Sequence, residues 1–288
     1  MSVVILTPDP GDPSYAGQWP DVLARHQAAL AKEGVVSRSE AWTDHVESGA
    51  RLAAAPLVLP LVAWGYHRDH PRWTAACAAW ARDGVRMLNP PGVLSWNSDK
   101  SYLDRLAGRG VPIPPTIWAD APTQADVDAA FDRFGTDELV VKPRVSGGAW
   151  KTLRLSRGQT LTGAPEGPAL IQPYLPSIET EGETSLLFFD HRFSHAVRKT
   201  PVPGEFRIQV QFGGRYESFT PAPEALALAE TVLRNIDEDL LYARIYMARS
   251  PDGGWLLMEA ELIEPDLYLD QAPDAGAAFA RAVKGRLD

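Results

Sequence analysis

Leu139-Val140-Val141-Lys142-Pro143-Arg144-Val145-Ser146-Gly147-Gly148-Ala149 decides how the rest of this 288-residue chain is read. Three apolar β-formers run into a lysine, and the lysine runs into a short loop ending Ser-Gly-Gly. Leu153 and Leu155 then restart a strand-like alternation. A strand, a glycine loop and a second strand with a lysine at the exit suit a nucleotide polyphosphate. Glycines let backbone N–H groups close on the oxygens as an anion-binding nest, while the ammonium neutralises charge. Taken alone, an ordinary hairpin with a Ser-Gly-Gly turn is the better explanation. The chain has no G-x-x-x-x-G-K-[ST] and no G-x-G-x-x-G, so neither phosphate motif is the source of the signal.

A second stretch, Trp255-Leu256-Leu257-Met258-Glu259-Ala260-Glu261-Leu262-Ile263-Glu264, follows an Asp252-Gly253 pair, the strongest short hairpin signal. Period-two geometry sets Glu259 and Glu261 on one face with Cα atoms roughly 7 Å apart. Two carboxylates so placed repel unless solvated or bridged by a cation, and carboxylates shared with phosphates are the usual Mg²⁺ arrangement. An edge strand with a wet acidic face is the plain alternative. A two-residue turn at Asp252-Gly253 would set Tyr246 opposite Glu259 and Arg244 opposite Glu261. The arginine would then pair with the carboxylates or face a transferring phosphoryl group.

Working outward, Val3–Leu6, Leu57–Val62 and Val85–Leu88 read as buried strands. Helical stretches lie between them at Asp21–Lys32 and His70–Arg82, a small α/β layer with a mainly parallel sheet. Its first strand runs into Thr7-Pro8-Asp9-Pro10, which carries no dinucleotide fingerprint. Trp64, Tyr66, His67, Arg68 and His70 either face a substrate or pack. After Pro90-Pro91-Gly92 the texture changes. Asn97 is placed to cap a helix carrying Lys100, Leu103 and Leu106, and Thr123 to open one with Val127, Phe131 and Phe134. Residues 169–176 read as an apolar strand running into a proline-fixed link, and further strands are expected at 184–189, 193–197, 206–211, 240–248 and 255–263, with helices at 224–236 and 277–287.

Composition narrows the class. A hydrophobic fraction of 45% and a charged fraction of 23% are those of a soluble globular protein. The net charge of -9 argues against a general nucleic-acid or anionic-membrane binder. Cys77 stands alone between Trp73 and Trp80 and reads as a small core residue. The N-terminal stretch has no basic region of the signal-peptide kind, and the longest apolar run, Leu52 to Trp64, is broken by Pro56 and Pro60. A cytoplasmic location is expected.

Together these pieces resemble the ATP-grasp superfamily, in the branch of bacterial glutathione synthetase, the ribosomal-protein glutamate ligase and the cycloserine ligase. The matching elements are Trp96-Asn97-Ser98-Asp99-Lys100, Val141-Lys142-Pro143 with Ser146-Gly147-Gly148, and Gln172-Pro173-Tyr174. They continue with Gly182-Glu183, His195-Ala196-Val197-Arg198-Lys199, Phe206-Arg207 and Met258-Glu259-Ala260-Glu261. Each is weak, but their order and spacing are specific. The resemblance implies α/β and α+β architecture, an ATP-grasp fold behind an N-terminal Rossmann-like domain. The expected parts are 1–92 for that domain, 93–168 for the lid subdomain with the glycine loop, and 169–288 for the C-terminal subdomain with the metal site.

It also implies roles. Lys100 and Lys142 hold ATP phosphates under a lid of Ser146, Gly147 and Gly148. Gln172, Pro173 and Tyr174 form the hinge that meets adenine, with Glu183 on the ribose and Glu179 as a second ribose candidate. Arg207 steadies the transferring phosphoryl group with Lys199 in support, and Glu259 and Glu261 bind Mg²⁺. Relatives commonly carry an aspartate where Tyr246 stands, which would complete a two-metal site. The Arg-Ser-Thr-Trp-Asp-Tyr-like segment of many relatives reads here Leu61-Val62-Ala63-Trp64-Gly65-Tyr66. The implied activity is an ADP-producing carboxylate–amine or cyclising ligase working through an acyl-phosphate on a small amino-acid-like substrate, with a cycloserine-ligase-like reaction among the candidates. Its partners would be a small-molecule carboxylate and amine, with neither nucleic acid nor membrane, and a homodimer is compatible. The rival readings are a small-molecule kinase on the same fold and a nucleotide-binding protein with little turnover.

Overall fold

The computed structural model describes residues 2–15, 17–200 and 214–287. Strand β1 (Val3–Thr7) is apolar along its length and wholly buried, as a strand covered on both faces must be. Val3 and Ile5 pack with Leu23 and Leu30 of α1 (Trp19–Lys32), while Val4 and Leu6 face Trp42, Trp73 and Trp80. Parallel neighbours β2 (Ser37–Ala41) and β3 (Val58–Leu59) flank β1, with α2 (Ala50–Ala53) and α3 (His70–Arg82) beside them. Strand β2 escapes a sequence reading because Ser37-Arg38-Ser39-Glu40 is a polar edge. The strand expected at 57–62 stops after two residues, before Pro60, which has no N–H for a ladder. The one expected at 85–88 shrinks to a single Val58–Met87 bridge.

Helices α4 (Pro91–Asn97) and α5 (Tyr102–Gly108) carry the chain onward. Asn97 is therefore the end of a helix and not a cap, and Lys100 lies in the turn that follows. A four-stranded antiparallel sheet comes next, with β4 (Ile117–Ala119), β5 (Glu138–Pro143), β6 (Leu153–Ser156) and β7 (Ala169–Pro173) in the order β4-β7-β5-β6. Helix α6 (Gln124–Phe134) is opened by a Thr123–Asp126 capping box and closed by Gly135 at φ 61°. Its Val127, Ala130 and Phe131 lie on Leu139, Val141 and Ile171. Strand β7 pairs with β5, so this sheet runs past residue 168, where the sequence division had ended it.

Beyond the short α7 (Ser177–Thr180) a five-stranded antiparallel sheet has the order β10-β9-β8-β11-β12. Its members are β8 (Glu183–Phe189), β9 (Arg192–Thr200), β10 (Arg215–Phe219), β11 (Tyr242–Arg249) and β12 (Trp255–Glu261). Helix α8 (Pro223–Arg234) buries Ala225, Ala229 and Val232 with Ile245, Leu257 and Ala260 of that sheet. Helix α9 (Ala277–Gly285) returns Phe279 and Val283 to the α1 side of the first layer. The strand expected at 206–211, with Arg207, lies outside the described residues.

Tyr246 pairs with Glu259 and Arg244 with Glu261, as the hairpin argument expects, but by another route. Arg249 pairs with Trp255, so the turn takes five residues. A bulge between Tyr246 and Met247 then restores the register by one.

Candidate active site

Two adjoining cavities lie between the glycine loop and β12, and Gly148, Arg244, Glu259 and Glu261 line both. The larger, about 260 Å³, runs from Val140, Gln172, Pro173, Tyr174 and Met258 to Lys142, Glu183, Lys199 and Tyr246. The smaller, about 160 Å³, is walled by Tyr66, Asn97, Ser98, Lys100, Ser146, Gly147 and Glu264. Of the site residues expected from sequence, all but Glu179 and Arg207, which lies outside the described residues, line one cavity or the other.

Charges meet in pairs across the shared wall. Glu259 Oε1 lies 3.7 Å from Lys100 Nζ and 3.7 Å from Lys142 Nζ. Burial favours a neutral Glu259, but Lys100, Lys142, Lys199 and Arg244 outweigh it and hold the carboxyl below the usual range. Burial pushes the Lys142 ammonium down, with Glu259 opposing. Lys199 Nζ sits 3.8 Å from Glu183 Oε2 and 3.8 Å above the Tyr246 ring. Burial raises Glu183 and lowers Lys199. Arg244 is bound to Glu261, and its other terminal nitrogen donates to Asp266 O (3.1 Å) and Tyr268 Oη (2.9 Å).

The glycine loop is tied down at its root. Lys100 Nζ donates to Ser146 O (3.1 Å) and Ser146 Oγ (3.0 Å), and Arg144 makes a two-pronged bond to Asp99 at 3.0 and 2.7 Å. Gly148, Ala149 and Lys151 take left-handed φ of 60°, 61° and 52°, a twist that two non-glycine residues hold under strain. From the first layer His67 packs on this loop, with its ring 5.7 Å from that of Trp150. Of the five residues singled out near it, Tyr66 lines a cavity. Trp64 takes the Trp42 indole on its carbonyl, Arg68 pairs with Asp12, and His70 bonds to Ser98.

Two expected binding residues are engaged elsewhere. The Gln172 amide donates to Thr116 Oγ1 at 2.9 Å, which leaves the backbone of that strand for a hinge contact. Glu179 lines neither cavity: it takes the Tyr174 hydroxyl at 2.9 Å and Arg154 at 2.6 Å. Sequence reasoning missed the polar brackets that aim β12. Asn97 donates to Ala260 O (2.8 Å) and accepts from Leu262 N (3.0 Å), while Tyr102 Oη accepts from Ala260 N (2.8 Å). Asn89 spans Tyr242 O (2.9 Å) and Leu262 O (2.7 Å). A buried asparagine beside a helix end is the faint signal that was available.

Residues 3–89 match the family described as the N-terminal domain of the D-cycloserine synthetase DcsG. The cycloserine biosynthesis protein DcsG of Streptomyces lavendulae is 28% identical over 273 residues, covering 88% of this chain and 90% of that protein. A crystal structure of D-cycloserine synthetase DcsG aligns over 100% of both chains with a TM-score of 0.82 and 25% identity. The ATP-grasp ligase PsnB, solved with a precursor variant, Mg and ADP, aligns over 100% of this chain and 99% of its own at a TM-score of 0.67 and 14% identity, a likeness of fold. Over its full length the chain has the ATP-grasp fold.

Proposed function

We propose that the chain is an ATP- and Mg²⁺-dependent ligase that activates a small carboxylic acid as its acyl-phosphate and passes it to an amine, on another molecule or on the same one. The observation that carries this is the shared wall, where Lys100, Lys142, Glu259, Glu261 and Arg244 meet between an apolar-ended cavity and a polar one. In this reading ATP occupies the larger cavity. Its adenine lies along the backbone of Gln172, Pro173 and Tyr174, beside Val140 and Met258. A ribose hydroxyl reaches Glu183, whose buried Oε2 has no hydrogen-bond partner among the described residues.

Lys100 and Lys142 take the phosphates, and Ser146, Gly147 and Gly148 cover them and keep water from the reacting atoms. Glu259 and Glu261 fit a Mg²⁺ shared with phosphate oxygens. No three His, Cys, Asp or Glu side chains gather into a metal group among the described residues, and Mg²⁺ characteristically takes one or two carboxylates plus phosphates. The ion would supply charge neutralisation across the phosphates. Lys199 and Arg244 hold positive charge beside the site of transfer, and Arg207 is assigned to the same task from sequence. Catalysis then rests on positioning and fixed charge, with no protein nucleophile.

The likeness to DcsG makes a cyclising reaction of the cycloserine-forming kind the first to try. The test is ADP formation with ATP and Mg²⁺ over a panel of amino acids and small peptides, with free phosphate measured alongside. A ligase releases phosphate in step with ADP. ADP without free phosphate, the phosphate remaining on the product, would make the protein a kinase.

A further inference from the structure

Among the described residues three carboxylates line the larger cavity, and each already faces a cation. Glu259 lies 3.7 Å from both Lys100 and Lys142, Glu261 is bound by Arg244, and Glu183 sits 3.8 Å from Lys199. Phosphoryl-transfer sites work with one magnesium ion, or with two about 3.5–4 Å apart. Glu259 and Glu261 suffice for one, since Mg²⁺ takes one or two carboxylates and fills its shell with phosphates and water. A second ion needs a further oxygen ligand beside Glu259. Across the strands Glu259 pairs with Tyr246 and Tyr246 with Ser185, so these three share one face. A phenol is not a ligand that Mg²⁺ favours, and Ser185 is buried and lines neither cavity. Glu264 lines only the smaller cavity and does not join Glu259 and Glu261 in a three-acid group among the described residues. The space over the Tyr246 ring is taken by the Lys199 ammonium, itself buried.

We propose that the nucleotide site holds one magnesium ion, and that the Lys199 ammonium, seated on the Tyr246 ring, is the second positive centre facing the phosphates. This rests on the reading that ATP occupies the larger cavity. The geometry suits an ammonium kept for a ligand. Its contacts to Glu183 and to the ring, both 3.8 Å, are longer than a hydrogen bond, so neither uses up its N–H donors. Glu183 pairs with Lys199 across β8 and β9, and the π face of Tyr246 holds the charge from β11, so the ammonium is fixed from two neighbouring strands. A tethered cation cannot diffuse away as a second Mg²⁺ can. Nucleotide binding should therefore depend on a single metal-binding step.

The experiment reads metal count and binding, not turnover. Mn²⁺ replaces Mg²⁺, because it takes the same oxygen ligands and the free ion is counted by its paramagnetic resonance. With protein in excess over a non-hydrolysable ATP analogue, Mn²⁺ is titrated and the ions held per analogue are read at the plateau, after subtraction of a protein-only blank. Wild type should plateau at one ion per analogue. Calorimetric titration of the analogue with Mg²⁺ should show affinity about tenfold lower for Lys199→Met, the worth of one charge-assisted hydrogen bond. Tyr246→Leu, which removes the ring under the ammonium, should lower it by a smaller factor. Adenosine, which has base and ribose but no phosphate, should lose less than about twofold in Lys199→Met. Should Lys199→Met not fold, judged by its melting curve, the wild-type plateau and Tyr246→Leu carry the decision. Two ions per analogue, unchanged analogue affinity in the variants, or an equal loss for adenosine would each overturn the proposal. An analogue that does not bind wild type at all would overturn the ATP reading and the proposal together, a result distinct from a plateau at two.

Discussion

Lys142 leaves β5 with its ammonium buried and 3.7 Å from Glu259, so its charge is balanced from one side and open to a phosphate on the other. Lys142→Ala should weaken ATP binding by about 1–3 kcal/mol, the range for charge-assisted hydrogen bonds, measured by calorimetric titration. Unchanged affinity would remove Lys142 from the site. Tyr246 is the second informative residue. Its ring lies 3.8 Å below Lys199, which faces Glu183, so the tyrosine holds a cation in place by its π face. An aspartate there would draw Lys199 away from Glu183. Tyr246→Asp should lower turnover roughly tenfold, while Tyr246→Phe, which keeps the ring, should stay within about threefold. A rise in turnover or Mg²⁺ affinity with the aspartate would mean instead that the tyrosine displaced a second metal.

At the scale of elements, the glycine loop and the first layer meet at one contact. A Cβ on Gly147 would come 3.1 Å from His67 Nδ1 and 3.3 Å from Cε1, while its backbone is one that alanine can adopt. Gly147→Ala should therefore hinder closure over the phosphates through His67 alone. Initial-rate kinetics should show lowered kcat for Gly147→Ala and a higher value for Gly147→Ala with His67→Ala. A double variant no better than the single would place the glycine's role elsewhere. The same contacts explain what a linear reading reaches. Glu259, Glu261, Arg244 and Tyr246 were legible because strand alternation and pairing are local rules, even though a longer turn and a bulge combined to give the expected pairs. Asn89 and Asn97 were not legible in this role, since their partners stand more than 150 residues away. Strand β2 was hidden by its polar edge, and the Gln172 and Glu179 side chains were claimed by Thr116 and Arg154.

For the whole molecule, α1 and α9 close the first layer from opposite ends of the sequence, and His26 lies between them, 5.8 Å from Phe279. Burial lowers its pKa from 6.5 to about 4, so between those values the unfolded chain binds the extra proton. The stability from neutral His26 is complete above about pH 6.5 and is lost as pH falls towards 4. Wild type should thus lose on the order of 2–3 kcal/mol more than His26→Leu between pH 7 and 4.5, at about 1.4 kcal/mol per pKa unit. Parallel melting curves against pH would show that His26 does not titrate in this window. The fold brings the two antiparallel sheets and Tyr66 of the first layer around one pair of cavities, and the central claim is that an acyl-phosphate forms where these cavities meet. Hydroxylamine, a small and strong nucleophile, should intercept that species when the true amine is absent. Amino acids are therefore screened with ATP, Mg²⁺ and hydroxylamine, and the product is read as a hydroxamate. The account predicts a hydroxamate of at least one acid, suppressed by Glu259→Gln and by Glu261→Gln; ADP formation with a phosphorylated alcohol and no hydroxamate would contradict it.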